Sequence, residues 1–375
     1  MLWCSGAAQA IAMREVTDGL VEKLTGFRET SYDDTRAKLA VDGIRLQSVV
    51  NSKSYGIGEL ELVSLATLRE RAKSGTALPG RIKVSVVTGD VRGMHQWPEN
   101  ARALFHVASQ FNLLEMPFYE VTPEHGVTGY ESDHAQGPAC AIAAGAATIY
   151  RNYFAPVGGG HGQTRDRQLD GLADLGAALS TVLWKMRNGY ALCTESGLHA
   201  IATHLGGLGP DRIDDLRGLL RIGIHRDVEV TDSPGGDQPT ISQAFCSALP
   251  VAYTWVAPSH WQPFASLILQ AAYEATMWAA VLNAQRGASN VVLLTSLGGG
   301  AFGNDENWIY DAMWRALQMM FERCAKGQAR ELRRTGDRAR CSRSWCRPGR
   351  ARPARSSRGS GSGFPGTASS LPSSD

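Results

Sequence analysis

The chain has 375 residues, of which 43% are hydrophobic and 20% are charged, so it can bury one large core or two modest ones. Its seven cysteines are odd in number and show no paired spacing, which favours a reducing compartment over secretion. The histidines and cysteines form no HExxH or CxxC…CxxC pattern, so the sequence predicts neither a metal site nor a cofactor.

The formal net charge of +2 is unevenly distributed along the chain. Residues 327–375 carry eleven Arg, no Lys and three acidic residues, a net charge of +8, which leaves the rest of the chain at −6. This Arg/Ser/Gly/Pro-rich tail has too few apolar residues to fold and is predicted to be disordered. It is the one part in which the sequence suggests contact with nucleic acid, because an acidic body opposes binding to a phosphate backbone.

Two segments of the chain bear on targeting and on membrane insertion. Residues 1–13 lack the basic leader and continuous apolar region of a signal peptide, so we expect an intracellular protein, cytoplasmic or nuclear. The longest apolar helix, Phe264–Ala284, contains Gln270 and Glu274 and is therefore predicted to lie in a core rather than in a membrane.

Residues 1–80 are predicted to form an N-terminal α+β extension. Helical spacing of apolar residues occurs in Met13–Leu24 and Leu60–Arg71, and Leu39–Val50 suggests one or two strands. No residue in this region shows a pattern that predicts chemistry.

Two apolar segments after Gly80 predict strands whose ends carry polar residues. Arg81–Thr88 ends in Gly89-Asp90, and Ala103–Ala108 leads to Asn112. Open α/β sheets bind ligands at the carboxyl ends of their strands, which makes both ends candidate sites. Asn112 alone would more often cap a loop than contact a ligand.

A polar loop, Glu115–Gln136, precedes a run of small residues, Ala139–Tyr150, that is predicted to be a closely packed helix with Pro138 in its first turn. Cys140 lies near this helix start, where the thiol pKa is lowered, and Gln136 could donate to an oxyanion. The alternative is that Cys140 is a small packing residue, since no His follows in a recognisable context.

The middle of the chain is predicted to contain further helices and strands. Leucines at helical spacing predict a helix over Arg167–Met186. Leu219–Val230 and Ile241–Val251 are predicted strands, followed by the core helix Phe264–Ala284.

The stretch Asn290–Glu306, NVVLLTSLGGGAFGNDE, combines a strand, a glycine-rich loop and a helix start. Val291–Leu297 predicts a strand buried on both faces, and apolar residues from Trp308 to Phe321 predict one face of a helix capped by Asn304 or Asp305. Exposed backbone N–H groups beside a helix N-terminus can hold a phosphate. The alternative is a tight turn without a ligand.

Three of these motifs, taken in order, resemble those of the macro domain family: Val86-Val-Thr-Gly-Asp90-Val, Ala108-Ser-Gln-Phe-Asn112, and the late strand with its loop from Leu293 to Asn304. The resemblance covers residues 81–325. It implies that residues 81–326 form a macro-like domain, a three-layer α/β/α fold with a mixed, largely parallel central sheet, between the N-terminal extension and the tail.

The resemblance also implies an ADP-ribose site. Asp90 would accept a hydrogen bond from the adenine amino group, and Asn112 would bind the ribose nearest the scissile bond. Phe302 would cover part of the ligand. The diphosphate would lie against the backbone N–H groups of the loop formed by Gly298, Gly299, Gly300, Ala301, Phe302 and Gly303.

The chain departs from the family where hydrolysis is concerned. The glycine triplet that feeds a helix in many macro domains is replaced by residues 126–138, and the paired glutamates of poly(ADP-ribose) glycohydrolases are absent. Asp133 is the predicted base, with Gln136 and Asn112 as polar partners and Glu274 as a second option. Three hypotheses remain: a hydrolase of ADP-ribosyl linkages, a non-catalytic module that binds ADP-ribose or an ADP-ribosylated macromolecule, and a Cys140-dependent enzyme.

Overall fold

The computed structural model describes residues 19–75, 81–179, 183–233 and 238–334, and side chains as far as Arg323. The chain divides into two compact units, Met1–Arg330 and Glu331–Asp375, and the first contains the elements described below apart from the last residues of its final helix.

Helices and strands are interspersed along the described chain. The helices are α1 (Leu20–Thr25), α2 (Tyr32–Ala37), α3 (Leu65–Ser74), α4 (Val91–Met94), α5 (Gln136–Ala143), α6 (Gly145–Tyr153), α7 (Ala173–Ala178), α8 (Glu195–Gly206), α9 (Pro210–Leu219), α10 (Pro258–Gln285) and α11 (Glu306–Arg334). The strands are β1 (Leu39–Asp42), β2 (Arg45–Ser48), β3 (Ser54–Gly56), β4 (Glu59–Ser64), β5 (Leu104–Ala108), β6 (Pro156–Val157), β7 (Gly160–His161), β8 (Trp184–Arg187), β9 (Tyr190–Cys193), β10 (Arg221–Glu229), β11 (Thr240–Cys246) and β12 (Val292–Leu293).

A five-stranded sheet in the order β12-β5-β11-β10-β4 lies at the centre. β5 pairs in parallel with both β12 and β11, whereas β10 pairs antiparallel with β11 and β4. The predicted α/β class with a mixed, partly parallel sheet is therefore confirmed.

Helices cover both faces of this sheet. Leu104 and Cys246 point to the face on which α10 packs, and Phe105 and Phe245 point to the face covered by α5 and α6. This alternation follows from the two-residue period of a strand. α10 is long and apolar enough to cross a membrane by length and composition, but 72% of its most apolar window is buried inside the protein.

Residues 59–74 share this core, whereas the buried hydrophobic residues from Leu20 to Ile57 belong to a second hydrophobic cluster. β4 is the edge strand of the central sheet, and α3 packs against α10. The predicted helix over Leu60–Arg71 is wrong in its first half, because residues 59–64 pair with β10 and the helix begins only at Leu65. Pairing with a neighbouring strand outweighs local helical spacing.

The predicted strand over Arg81–Thr88 is not formed. These residues have no strand hydrogen bonds, and Val84, Val86 and Val87 are exposed. An apolar segment becomes a strand only where a neighbouring strand accepts its backbone, and residues 81–88 pair with neither edge strand of the central sheet, β4 or β12.

Two further predictions were wrong in extent. The helix predicted over Arg167–Met186 is reduced to α7, and Trp184–Arg187 forms a hairpin with β9. The strand predicted over Val291–Leu297 is reduced to β12, which is half-buried because it has β5 on one side only.

Candidate functional site

Three loops meet where the parallel strands β5, β11 and β12 end. The N–H of Ser109, just after β5, donates to the carbonyl of Cys246 at the end of β11 (2.8 Å). The N–H of Ala252, further along from β11, donates to the carbonyl of Phe302 in the loop that follows β12 (3.0 Å). We call this region the carboxyl edge; in α/β folds it is the usual place for a ligand.

The glycine loop, residues 298–303, is held against the carboxyl edge. Gly298 has a φ of 76°, and a Cβ on it would lie 2.4 Å from the Cβ of Ala248, so only glycine fits. Asn304 anchors the loop by donating its side-chain N–H to the carbonyl of Leu249 (2.8 Å), and Asp305 caps α11 by accepting from Asn307 N (2.8 Å).

The glycine loop offers hydrogen-bond donors. The N–H groups of Gly300, Ala301 and Phe302 are bonded to no group in the described part of the chain, whereas those of Gly299 and Gly303 close turns within the loop. Three consecutive unbonded N–H donors beside the start of a 29-residue helix favour the binding of an anion.

An aromatic cluster lies next to the glycine loop. It consists of Phe118, Tyr119, Tyr190, Tyr253 and Phe302. Tyr253 is its centre, with ring centroids 5.5 Å from those of both Tyr190 and Phe302 and 5.7 Å from that of Phe118. The rings of Phe118 and Tyr253 are partly exposed and give a surface on which a planar ring could stack.

Asp133 lies within electrostatic reach of two tyrosines of the aromatic cluster. Burial raises the pKa of the Tyr190 and Tyr253 hydroxyls, and the negative charge of Asp133 raises both further. One carboxylate oxygen, Oδ1, accepts from Ala135 N (2.8 Å), and Oδ2 has no partner within the described residues. The charge of Asp133, the predicted base, thus acts on the hydroxyls of Tyr190 and Tyr253, and the rings of these two tyrosines contact Phe302 of the glycine loop.

Asn112 and Gln136 also lie at the carboxyl edge, but the oxygen and the nitrogen of each amide already take part in hydrogen bonds. Asn112 is buried; its Oδ1 accepts from Leu114 N (3.1 Å) and its Nδ2 donates to Gln168 Oε1 (2.8 Å). Gln136 extends the edge of β5 by accepting from Ala108 N (2.8 Å) and donating to the carbonyl of His106 (2.9 Å). These contacts give both residues a positioning role, and direct contact with a ligand would require their amides to exchange partners.

Asp90 lies apart from these groups. Its carboxylate caps α4, accepting from Arg92 N (3.0 Å) and Gly93 N (3.2 Å). None of its contacts among the described residues reaches the aromatic cluster or the glycine loop. Its predicted contact with adenine stays a prediction.

A buried ion pair supports the chain just beyond Asn112. Arg151 on α6 donates from Nε to the carbonyl of Leu113 (3.1 Å) and from Nη2 to Glu115 (3.4 Å), and its guanidinium lies 3.9 Å from the ring centroid of Phe245. Leu113 has a φ of 66°, a strained value for a leucine. Burial raises the pKa of Glu115 to about 7, although Arg151 opposes this shift.

Cys140 does not have the surroundings of a nucleophile. It is fully buried, and burial raises the pKa of its thiol well above the ordinary value. Gln136 Nε2 lies 3.2 Å from the sulfur, and the full burial of Cys140 leaves the sulfur inaccessible to a substrate. A reactive thiolate needs exposure and a lowered pKa, so the geometry favours the packing interpretation.

Glu274, the second option for a base, belongs to an ion-pair network on α10. Burial alone would raise its pKa, but hydrogen bonds from Arg69 (2.5 Å) and Arg315 (2.7 Å) hold the pKa below its usual range. These partners come from α3 and α11 on the side of the sheet that α10 covers, so Glu274 ties helices together.

No protein-family model, curated protein or solved structure matches the chain. Within the described ranges, no three His, Cys, Asp or Glu side chains are grouped to hold a metal ion.

A cavity of about 470 Å³ lies elsewhere, between the N-terminal ends of α8 and α10. Glu195, His199 and His260 line it, and His260 Nδ1 is 3.3 Å from Glu195 Oε1. None of the residues singled out in the sequence lines this cavity.

The sequence did not identify four of the five aromatic residues of the cluster, namely Phe118, Tyr119, Tyr190 and Tyr253. Each stands in a different segment or without a motif, so no spacing joins them. One signal was available: Asn188-Gly189 between short apolar runs is a type I′ hairpin pattern, and it predicts the β8–β9 hairpin that delivers Tyr190.

Proposed function

We propose that the chain recognises ADP-ribose or an NAD-derived ligand at the carboxyl edge. The observation that carries the proposal is the convergence of three unbonded N–H groups, at Gly300, Ala301 and Phe302, with the aromatic cluster and Asp133. Donors for a diphosphate, a surface for a planar base and an acceptor for ribose hydroxyls are the three contacts that such a nucleotide requires.

We further propose that the bound ligand is hydrolysed at an ADP-ribosyl linkage. Asp133 would take a proton from a water molecule while the water oxygen forms a bond to the anomeric carbon and the linked group leaves with a proton from solvent. The support is the half-buried position of Asp133 and its oxygen without a partner among the described residues. The alternative is a module that binds the same ligand without turnover.

Substitution of Gly300 with Glu is expected to abolish ADP-ribose binding. A Cβ on Gly300 meets no atom within 4 Å, so the fold should be retained while a carboxylate occupies the position proposed for a phosphate. Because juxtaposed like charges cost several kcal/mol, the Kd should rise more than about 30-fold. Calorimetric titration of the full chain with ADP-ribose measures this change.

Two controls accompany this titration. Gly300→Ala keeps the N–H and adds no charge, so its Kd should stay within about threefold of the parent. Gly206→Glu adds the same charge at an open, exposed position on α8 and should leave the Kd unchanged. Absence of binding by the parent chain at 1 mM ADP-ribose, a concentration about a thousandfold above a micromolar Kd, would refute the proposal.

Asp133→Asn separates the hydrolase from the binding module. Asparagine retains the acceptor for Ala135 N but cannot take a proton, so binding should persist while kcat falls about 100-fold or more. The measurement is release of ADP-ribose from an ADP-ribosylated peptide, with Asp166→Asn on an exposed turn as the control. Binding by the parent without release would establish the module, and unchanged release by the variant would remove Asp133 from the mechanism.

A further inference from the structure

Helix α11 has two apolar faces, and the protein core uses one of them. Its buried residues are Ile309, Ala312, Ala316 and Met320. A second stripe consists of Tyr310, Trp314, Leu317 and Phe321. Its three aromatic side chains are exposed, Tyr310 to 56%, Trp314 to 57% and Phe321 to 37%, while Leu317 is half-buried against the core. We call this set the outer stripe.

The spacing of the outer stripe is regular. Its residues are separated by four, three and four positions, the repeat that places side chains along a seam between two helices. Single exposed hydrophobic residues are common on protein surfaces, but a line of large aromatic side chains marks an interaction surface.

The charge along α11 indicates the occupant. Asp305, Glu306 and Asp311 make its start acidic, while residues 322–330 contain three basic residues and one acidic residue. Two copies of the helix in antiparallel orientation would bring each acidic end beside a basic end. The positive dipole end of each helix would also lie beside the negative dipole end of the other, which is favourable.

The terminal segments of the same chain fit the outer stripe less well. Gly19, where the described chain begins, lies beside Thr128, and α1 packs on α6, which covers the sheet face opposite to α10. Residues 335–375 contain three large apolar residues, Trp345, Phe364 and Leu371, which are too few and too far apart to fill a four-residue stripe.

We propose that the chain forms a homodimer in which the outer stripes of two copies pack antiparallel about a two-fold axis. Trp314 of one copy then lies opposite Leu317 of the other, and Tyr310 opposite Phe321. Such a contact is isologous and closes on itself. Three half-exposed aromatic side chains supply on the order of 300 Å² per copy, below the roughly 800 Å² of a standard interface, so the dimer should dissociate in the micromolar range.

Sedimentation of the full chain between about 1 and 100 μM tests the proposal, since this range spans a micromolar Kd. The parent should pass from monomer to dimer, and Trp314→Glu should raise the Kd about 30-fold or more, as expected for a central hot-spot residue. Trp255→Glu, at a fully exposed tryptophan outside α11, should leave the Kd unchanged. A parent chain that stays monomeric, because its own termini or another protein cover the stripe, would overturn the proposal, as would an unaffected Trp314→Glu dimer.

The antiparallel register has its own test. Tyr310→Glu and Phe321→Lys should each weaken the dimer. The double variant should recover at least part of the affinity, because each Glu then faces a Lys of the other copy. A parallel pair would instead place Glu against Glu and Lys against Lys, so failure of the double variant to recover would overturn the register.

Discussion

Replacing Arg151 with methionine is expected to lower the free energy of unfolding by about 3–5 kcal/mol at pH 8.5. Arg151 and Glu115 are both fully buried, and Arg151 also donates to the carbonyl of Leu113, whose backbone is strained. Removing the cation leaves a buried carboxylate without its partner. The segment that follows Asn112 at the carboxyl edge then loses its support.

The loss should depend on pH in a defined direction. In the folded parent the pKa of Glu115 is raised to about 7, so the protonated form is favoured by folding. The stability from this group is fully present below its ordinary pKa of 4.5 and is lost as the pH rises through 7. Arg151→Met should therefore lower the free energy of unfolding by clearly less at pH 5, where Glu115 is neutral, than at pH 8.5.

Urea unfolding at both pH values measures the effect, with Arg151→Met/Glu115→Gln as the matched control. The double variant carries no buried charge at this position, so it should recover more than half of the loss at pH 8.5 and show little difference between the two pH values. An equal loss for the single variant at both pH values would contradict the role assigned to the Glu115 charge.

Gly189→Ala is expected to destabilise the protein by about 2–4 kcal/mol, from a left-handed φ and a steric clash together. Gly189 has a φ of 80°, and a Cβ on it would lie 2.5 Å from Asn112 Oδ1 and 2.6 Å from Gln110 Cβ. The hairpin that carries Tyr190 would be displaced from the carboxyl edge. ADP-ribose affinity should therefore fall together with stability.

Gly206→Ala serves as the comparison for this substitution. Its Cβ meets nothing within 4 Å, and its backbone is outside the left-handed region, so its unfolding free energy should stay within about 0.5 kcal/mol of the parent. Thermal unfolding and calorimetric titration of both variants measure the two effects. A Gly189→Ala variant as stable as Gly206→Ala would mean that the β8–β9 hairpin does not pack closely against Asn112.

The sequence predicted those helices and strands whose own apolar pattern is enough to specify them. The apolar runs that became β5, β10, β11 and the core helix α10 were predicted near their observed positions, because strong periodicity and burial agree there. The start of α11 at Glu306 followed from a capping residue, and its buried face followed from helical spacing.

Predictions failed where a segment depends on a distant neighbour. Residues 81–88 alternate like a strand yet remain unpaired and exposed, while residues 59–64 have helical spacing yet pair with β10. Local pattern states which structure a segment can adopt, and hydrogen bonding to a partner far along the chain decides which one it does adopt.

By itself the sequence determined the α/β class, the glycine loop before α11 and Asp133 as a candidate carboxylate. The tertiary structure alone decided that the charge of Asp133 acts on Tyr190 and Tyr253, whose rings contact Phe302 of the glycine loop. It also decided that the amides of Asn112 and Gln136 hydrogen-bond to neighbouring protein groups and that Cys140 is buried. The physical reason is that burial and hydrogen-bond partners are properties of contacts between distant segments, which no spacing within one segment encodes.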